Sequence, residues 1–154
     1  MLKQTQNKFH VICDDIRSLY NVGSIFRTAD ALSIEKIWLC GITGTPEQKG
    51  MQKVSLGAEN SVAWEHASSA WRVAEKLRKQ GFQIVALELT KTSQDVKLFK
   101  PKFPVALIVG NEVDGVSETL LKRSDVVIHI PMKGIKESLN VSVAFGIACY
   151  KILN

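Results

Sequence analysis

Cysteine is scarce in this 154-residue chain, and its three copies, Cys13, Cys40 and Cys149, each sit alone in an apolar run. An odd, scattered set argues against a disulfide framework. His10, His66 and His129 are equally isolated, so no Cys or His lies at metal-ligand spacing and no metal is expected. Long hydrophobic runs are missing too. The opening MLKQTQNKFHVICDD lacks the uninterrupted apolar region of a secretion signal, and no run approaches a membrane span. The expected setting is a reducing cytoplasm, with no membrane partner. Neither GxGxxG after the first apolar run nor GxxxxGKS/T occurs, which counts against a nucleotide-dependent oxidoreductase and a phosphate-binding NTPase. There is also no Lys/Arg tail: 20 Lys+Arg against 15 Asp+Glu leave a net charge of +5, a mild preference for an anionic partner such as nucleic acid.

What is present reads as one α/β domain spanning residues 1–154, without repeat, low-complexity segment or linker. Strand and helix patterns alternate. Lys8 to Cys13 is an expected first strand, followed by a loop from Asp14 to Tyr20. A helix starts at Asn21, its plausible N-cap, and turns Val22, Ile25, Phe26 and Ala29 to one face. Lys36 to Cys40 is a strand, and Glu47 to Ala67 is irregular with a short strand near Val62 to Trp64. Ser68 or Ser69 caps a helix carrying Ala70, Val73, Ala74 and Leu77, which Gly81 ends. Phe82 to Leu89 is a strand; the polar stretch Thr90 to Pro104 holds an extended piece near Leu98-Phe99. Val105 to Val109 is a buried central strand, Ser117 caps a short helix through Arg123, and Asp125 to Ile130 is the last strand. This order predicts a mostly parallel sheet with helices on both faces.

In such sheets ligands collect at the carboxyl ends of the strands, so the loops after Leu87, Val109 and Ile130 are the first candidates. The loop GNEVDG from Gly110 to Gly115 has no lysine to hold phosphates. Arg27 lies away from its helix's apolar face, near the helix beginning. Asn140 opens the last helix as a cap, or leaves its first amides to a bound carboxylate, with Ser138 adding a hydroxyl. Asn140 to Ser142 also matches a glycosylation sequon, set aside for want of a secretion signal. In that last helix Val141, Ala144, Phe145, Ala148, Cys149 and Ile152 form a core stripe, yet Val143, Ile147, Tyr150 and Leu153 make the other side apolar too. A helix hydrophobic nearly all round must be covered on several sides, either by this chain's own layers or by a second subunit.

Three separated segments, NVGSIFRTAD (Asn21 to Asp30), LIVGNEVDGVS (Leu107 to Ser117) and IPMKGIKESLNVSVAFGI (Ile130 to Ile147), resemble the three motifs of the SpoU-type, or TrmH-like, RNA ribose methyltransferases of the SPOUT superfamily. KVSLGAENSVAWEH is similar to that family's segment between the first two motifs, and no additional RNA-binding domain is expected. The resemblance implies an α/β domain closed by a C-terminal deep trefoil knot, a homodimer through the C-terminal helix, S-adenosyl-L-methionine as methyl donor and 2′-O-methylation of an RNA ribose. The RNA is expected to be tRNA, with rRNA, or an inactive RNA-binding module, as alternatives. It further implies cofactor binding around Leu87, Gly110, Ile130, Ser138 and Leu139, and a reaction site of Asn21, Arg27, Glu112, Ser138 and Asn140. Arg27 matches the arginine proposed as base in such enzymes. A guanidinium with a pKa above about 12 is a poor base, so Arg27 is expected to hold a phosphate or developing alkoxide while Glu112 orients it and the loop. Lys49, Lys53, Lys133 and Lys136, in expected loops, are candidate RNA phosphate contacts.

Overall fold

The computed structural model describes residues 7–154; residues 1–6, part of the stretch expected to carry no leader, lie outside the described residues. Seven strands form one sheet in the order β3-β2-β1-β6-β4-β7-β5, and every pairing is parallel. The strands are β1 (Phe9–Asp14), β2 (Lys36–Cys40), β3 (Ala63–Ala67), β4 (Gln83–Leu87), β5 (Gln94–Asp95), β6 (Val105–Val109) and β7 (Val126–His129). The helices are α1 (Leu19–Ala31), α2 (Gln52–Ser55), α3 (Ala70–Lys79), α4 (Glu118–Arg123) and α5 (Val141–Leu153), with a 3-10 turn at Ala58–Asn60.

Alternation along the strands builds two cores, because successive side chains point to opposite faces of a sheet. In β6, Val105, Leu107 and Val109 pack on one face with Phe26 of α1 and Phe145 of α5. Ala106 and Ile108 pack on the other with Val73 and Leu77 of α3 and Leu120 of α4. All five β6 residues are buried, as an unbroken apolar run in a two-sided sheet requires. Helices therefore flank both faces, as the alternating order predicts. No helix among the described residues is long and apolar enough to cross a membrane.

Several local expectations are corrected. Asn21 is not the N-cap of α1. The helix begins two residues earlier because Ser18, in extended geometry, accepts a hydrogen bond from the Asn21 amide and fills the capping role. Arg27 consequently sits in the third turn, not near the beginning. The irregular stretch contains the short helix α2 and the 3-10 turn, so Lys53 is helical, and its strand runs to Ala67. The extended piece in the long polar connection is Gln94–Asp95, paired with β7, rather than Leu98-Phe99. Gly81 lies just past the end of α3 at φ +94° and Ser117 caps α4 by accepting from Leu120, both as expected, whereas Ser69, in extended geometry before α3, makes no side-chain capping bond.

Candidate active site

The carboxyl ends of β4, β6 and β7 and the segment leading into α5 enclose a cavity of about 430 Å³, within the range of small-molecule sites. Leu87, Gly110, Ile130, Ser138 and Leu139, the expected cofactor residues, all line it, together with Glu112 and Asn140. The wall at β6 depends on glycine. A Cβ on Gly110 would meet the Gly115 carbonyl carbon at 2.4 Å, so only a bare backbone lets this loop close on itself. Asn111 pins the same loop: its amide donates to the Asp15 carbonyl at 2.8 Å, and its oxygen accepts from Val113 and Asp114. The loop after β6 is thereby tied to the end of β1.

At the cavity's mouth, three of the expected catalytic residues form one chain of hydrogen bonds. Asn140 accepts from the amides of Ser142 and Val143 at 2.9 and 3.3 Å, capping α5, and donates to Asn21 Oδ1 at 3.0 Å. Asn21, buried on α1, donates in turn to Glu112 Oε2 at 3.0 Å. Glu112 also accepts from the amides of Arg17 and Ser18 at 2.8 and 2.9 Å. Donors therefore run one way, from the first turn of α5 to a carboxylate that can only accept when ionised. Desolvation pushes the Glu112 carboxyl up, but the Arg17, Ser18 and Asn21 donors and its own amide outweigh it, so its pKa falls below the usual 4.5. A carboxylate so engaged is a structural tie and a weak base at neutral pH. The α5 start does not offer these two amides to a carboxylate ligand, because Asn140 takes both.

Arg27 is placed differently. It does not line the cavity, and among the described residues its side chain forms no hydrogen bond or ion pair, with Glu112 or any other group. The expectation that Glu112 orients Arg27 is therefore not met within one chain, since the carboxylate is occupied by α1's own amides and Asn21. Tyr20, Ser24, Arg27 and Ala31 fall on one stripe of α1, and all but Ser24 are exposed. That stripe neighbours α5, which passes close enough that a Cβ on Gly146 would touch Thr28 Cγ2 at 3.7 Å. The outer face of α5 leaves Val143, Ile147 and Tyr150 at 50%, 44% and 63% exposure, while Phe145, Ala148, Cys149 and Ile152 are buried. A second, mostly apolar groove of about 620 Å³ runs along it beside Ile130, Pro131, Ile147 and Tyr150.

Two contributors escaped the sequence reading. Asn111 falls within the GNEVDG loop without being singled out, although an Asn that opens a glycine-flanked turn signals side-chain bonds to its own backbone. Glu88, directly after β4, lines the cavity and accepts from Val116 at 2.9 Å; nothing in its strand pattern marks it. The three cysteines are free and buried, and burial pushes all their thiols up, Cys40 to about 12, so none is poised for chemistry at neutral pH.

Comparison with known proteins agrees with this architecture. A tRNA (guanosine(18)-2'-O)-methyltransferase from Aquifex aeolicus is 32% identical over 98% of this chain and 71% of its own length. A 23S rRNA (guanosine-2'-O-)-methyltransferase from Vibrio parahaemolyticus is 29% identical over 98% of this chain but 61% of its own length. The crystal structure of the SpoU methyltransferase AviRb from Streptomyces viridochromogenes, in complex with AdoMet, superimposes with a TM-score of 0.87 at 26% identity, covering 96% of this chain and 60% of that one. The model of the SpoU rRNA methylase family matches residues 8–150, which include all three motifs and the whole cavity, and the chain belongs to that family.

Proposed function

We propose that this chain methylates the 2′-hydroxyl of an RNA ribose with S-adenosylmethionine as donor, and that its substrate is tRNA. The observation that carries the reading is the Asn140–Asn21–Glu112 chain of hydrogen bonds at the mouth of the cavity. The cavity suits the cofactor: the strand ends Leu87 and Val109 and the segment Ile130, Ser138 and Leu139 present backbone edges and apolar walls, and Gly110 lets the loop that forms one wall close on Gly115 and Val116. When bound there, S-adenosylmethionine would supply an electrophilic methyl group. The chain's own residues would do the rest. Asn140 and Asn21 lock the start of α5 onto α1, fixing the rim on which a ribose would be positioned, and correct placement alone lowers a barrier by several kcal/mol. The Arg27 guanidinium, exposed and without a partner among the described residues, would neutralise a phosphate or the alkoxide forming on the ribose. Lys49, Lys53, Lys133 and Lys136 are all exposed and available to RNA phosphates.

The same reading extends to assembly. A second copy covering the apolar outer face of α5 would also bury the neighbouring stripe that carries Arg27. It extends as well to the knot, in which the segment after β7 passes through the loop between β4 and β6. Supporting it, Glu88–Thr90 and Glu137–Asn140 line one cavity, and Val96 and Phe99 of that loop share a core with α5. The second reading, rRNA as substrate, is favoured by the similarity to the Vibrio enzyme. Transfer of labelled methyl to purified tRNA and rRNA from a strain lacking the gene tests both. Incorporation into rRNA alone would select the second reading, and none into either would leave an inactive RNA-binding module.

A further inference from the structure

The charge of the cavity runs against the charge of the chain. Although the protein carries net charge +5, the residues lining the cavity include Glu88, Glu112, Asp114 and Glu137 and, among the described residues, no lysine or arginine. Three of these carboxylates are exposed, and Glu112 is taken up by Asn21 and two amides. Glu88 is the half-buried one. Its amide donates to the Ile128 carbonyl at 2.9 Å, prolonging the pairing of β4 with β7. Its Oε2 accepts from Val116 at 2.9 Å, across the Gly110 loop, and its Oε1 from Leu89 at 3.1 Å. It occupies the space a side chain on Gly115 would need, since a Cβ there would lie 2.2 Å from Oε2. The result is a carboxylate clamped between the loops after β4 and β6, facing the cavity.

We propose that this anionic lining, with Glu88 as its fixed member, lets the cavity tell the methyl donor from the spent product by charge. The inference rests on the reading that the cavity holds S-adenosylmethionine. Methyl transfer breaks the S–CH₃ bond, leaves its electron pair on sulfur, forms the O–CH₃ bond and releases the hydroxyl proton to water. The donor carries a sulfonium, an ammonium and a carboxylate, a net charge of +1; S-adenosylhomocysteine has a neutral thioether and no net charge. In a space of about 430 Å³ a bound cation lies within roughly one Debye length, about 8 Å at physiological salt, of several of these carboxylates. One such unit-charge interaction at an effective dielectric of about 20 amounts to about tenfold in affinity after screening. Turnover benefits, because the product that must leave is the ligand the lining does not attract.

The test is calorimetric titration of the full chain with S-adenosylmethionine and with S-adenosylhomocysteine, at low and high salt. The wild type is expected to bind the donor about tenfold more tightly than the product, with salt eroding only the donor's affinity. Glu88→Gln, whose carbonyl can still accept from Val116, is expected to weaken donor binding about tenfold and product binding less than about twofold. Equal losses for both ligands would overturn the inference, leaving Glu88 as scaffolding for the Gly110 loop, and so would a wild type without preference. Should Glu88→Gln fail to fold, Asp114→Asn with Glu137→Gln, on exposed positions, must shift the ratio the same way by a smaller factor. A wild type that binds neither ligand would instead overturn the cofactor reading itself.

Discussion

Asn21 and Arg27 belong to one helix and one motif, but Asn21 is buried and hydrogen-bonded at both ends of its side chain, whereas Arg27 points outward with no partner among the described residues. The difference separates the candidate site into two parts. One part, from Asn140 through Asn21 to Glu112, is satisfied within a single chain, each side chain bonded to the next. The other, centred on Arg27, is left open by the chain, and in the proposed assembly a second copy or the RNA completes it. A polar group that contributes to folding is satisfied in the monomer. One that contributes only in a complex stays unsatisfied and exposed until the partner or substrate arrives.

Substitution at Arg27 tests that separation most severely. Arg27→Ala should lower methyl transfer to RNA by about 10²- to 10³-fold, the scale of removing one charge-stabilising donor from a reaction site. The thermal midpoint should stay within the effect of an ordinary surface change, about 0.5 kcal/mol. Arg27→Lys should recover little, since a point charge does not replace a planar fork. A Lys variant with near-normal turnover and unchanged RNA affinity would remove the requirement for a guanidinium and break the comparison.

The open part should also respond to a charge placed on α5. Ile147→Asp puts an ionised group at the centre of the exposed apolar face, where in the isolated chain it still reaches water and costs about 1–2 kcal/mol in lost burial and helix propensity. If a second copy covers this face, dissociation should strengthen by about 100-fold or more, the range of a damaged interface anchor. Sedimentation of wild type and variant over a dilution series reads this directly. A wild type that is monomeric throughout would show that the face serves something other than a second copy.

Within the closed part, Asn140 has two jobs that can be pulled apart. Asn140→Ala removes the cap of α5 and the donor to Asn21, and should cost about 1–2 kcal/mol in urea unfolding. Asn140→Asp keeps the capping oxygen but has no donor for Asn21 Oδ1. It should recover about half of that loss in stability and none of any loss in methyl transfer. Equal recovery of both would make Asn140 a cap and nothing more.

How far the sequence could be read follows the same division. Periodicity found α3, α5 and the buried strand β6 nearly to the residue, because burial on a known face leaves a repeating trace. It could not find Gln94–Asp95, which is short, polar and held only by its pairing with β7. It also misplaced the start of α1, since Ser18 and Asn21 are both good caps and only the formed turn shows which one accepts. The motifs point to residues that the fold gathers at or beside one cavity, Arg27 apart. Partnership was not legible: Asn21 and Asn140 are far apart in the chain, and nothing local in either says that one donates to the other. The position of Glu88 was hidden for a related reason, since it follows an ordinary apolar strand and acquires its place only through the turn at Gly115.

The smallest expected effect tests whether Glu112 is a tie or a reagent. Its carboxyl lies below the usual 4.5 in the folded chain, so its bonds to Arg17, Ser18 and Asn21 add stability that is fully present above that value. As pH falls through the lowered folded-state value, the protonated group loses acceptor capacity and that contribution disappears. Because Glu112 is largely exposed, the loss should be under about 1 kcal/mol. Glu112→Gln should therefore flatten the fall in urea midpoint below about pH 4.5, while at neutral pH it loses accepted bonds, because the new amide donor must face either the Arg17 amide or the Ser18 amide and Asn21 Nδ2, which share one oxygen. If Glu112 were instead the proton acceptor of the reaction, the same variant would abolish methyl transfer at every pH. A tie predicts reduced turnover that improves when Asn21 is changed to a residue able to accept from the new amide, because what the rim requires is the link between α1 and the Gly110 loop and not the negative charge.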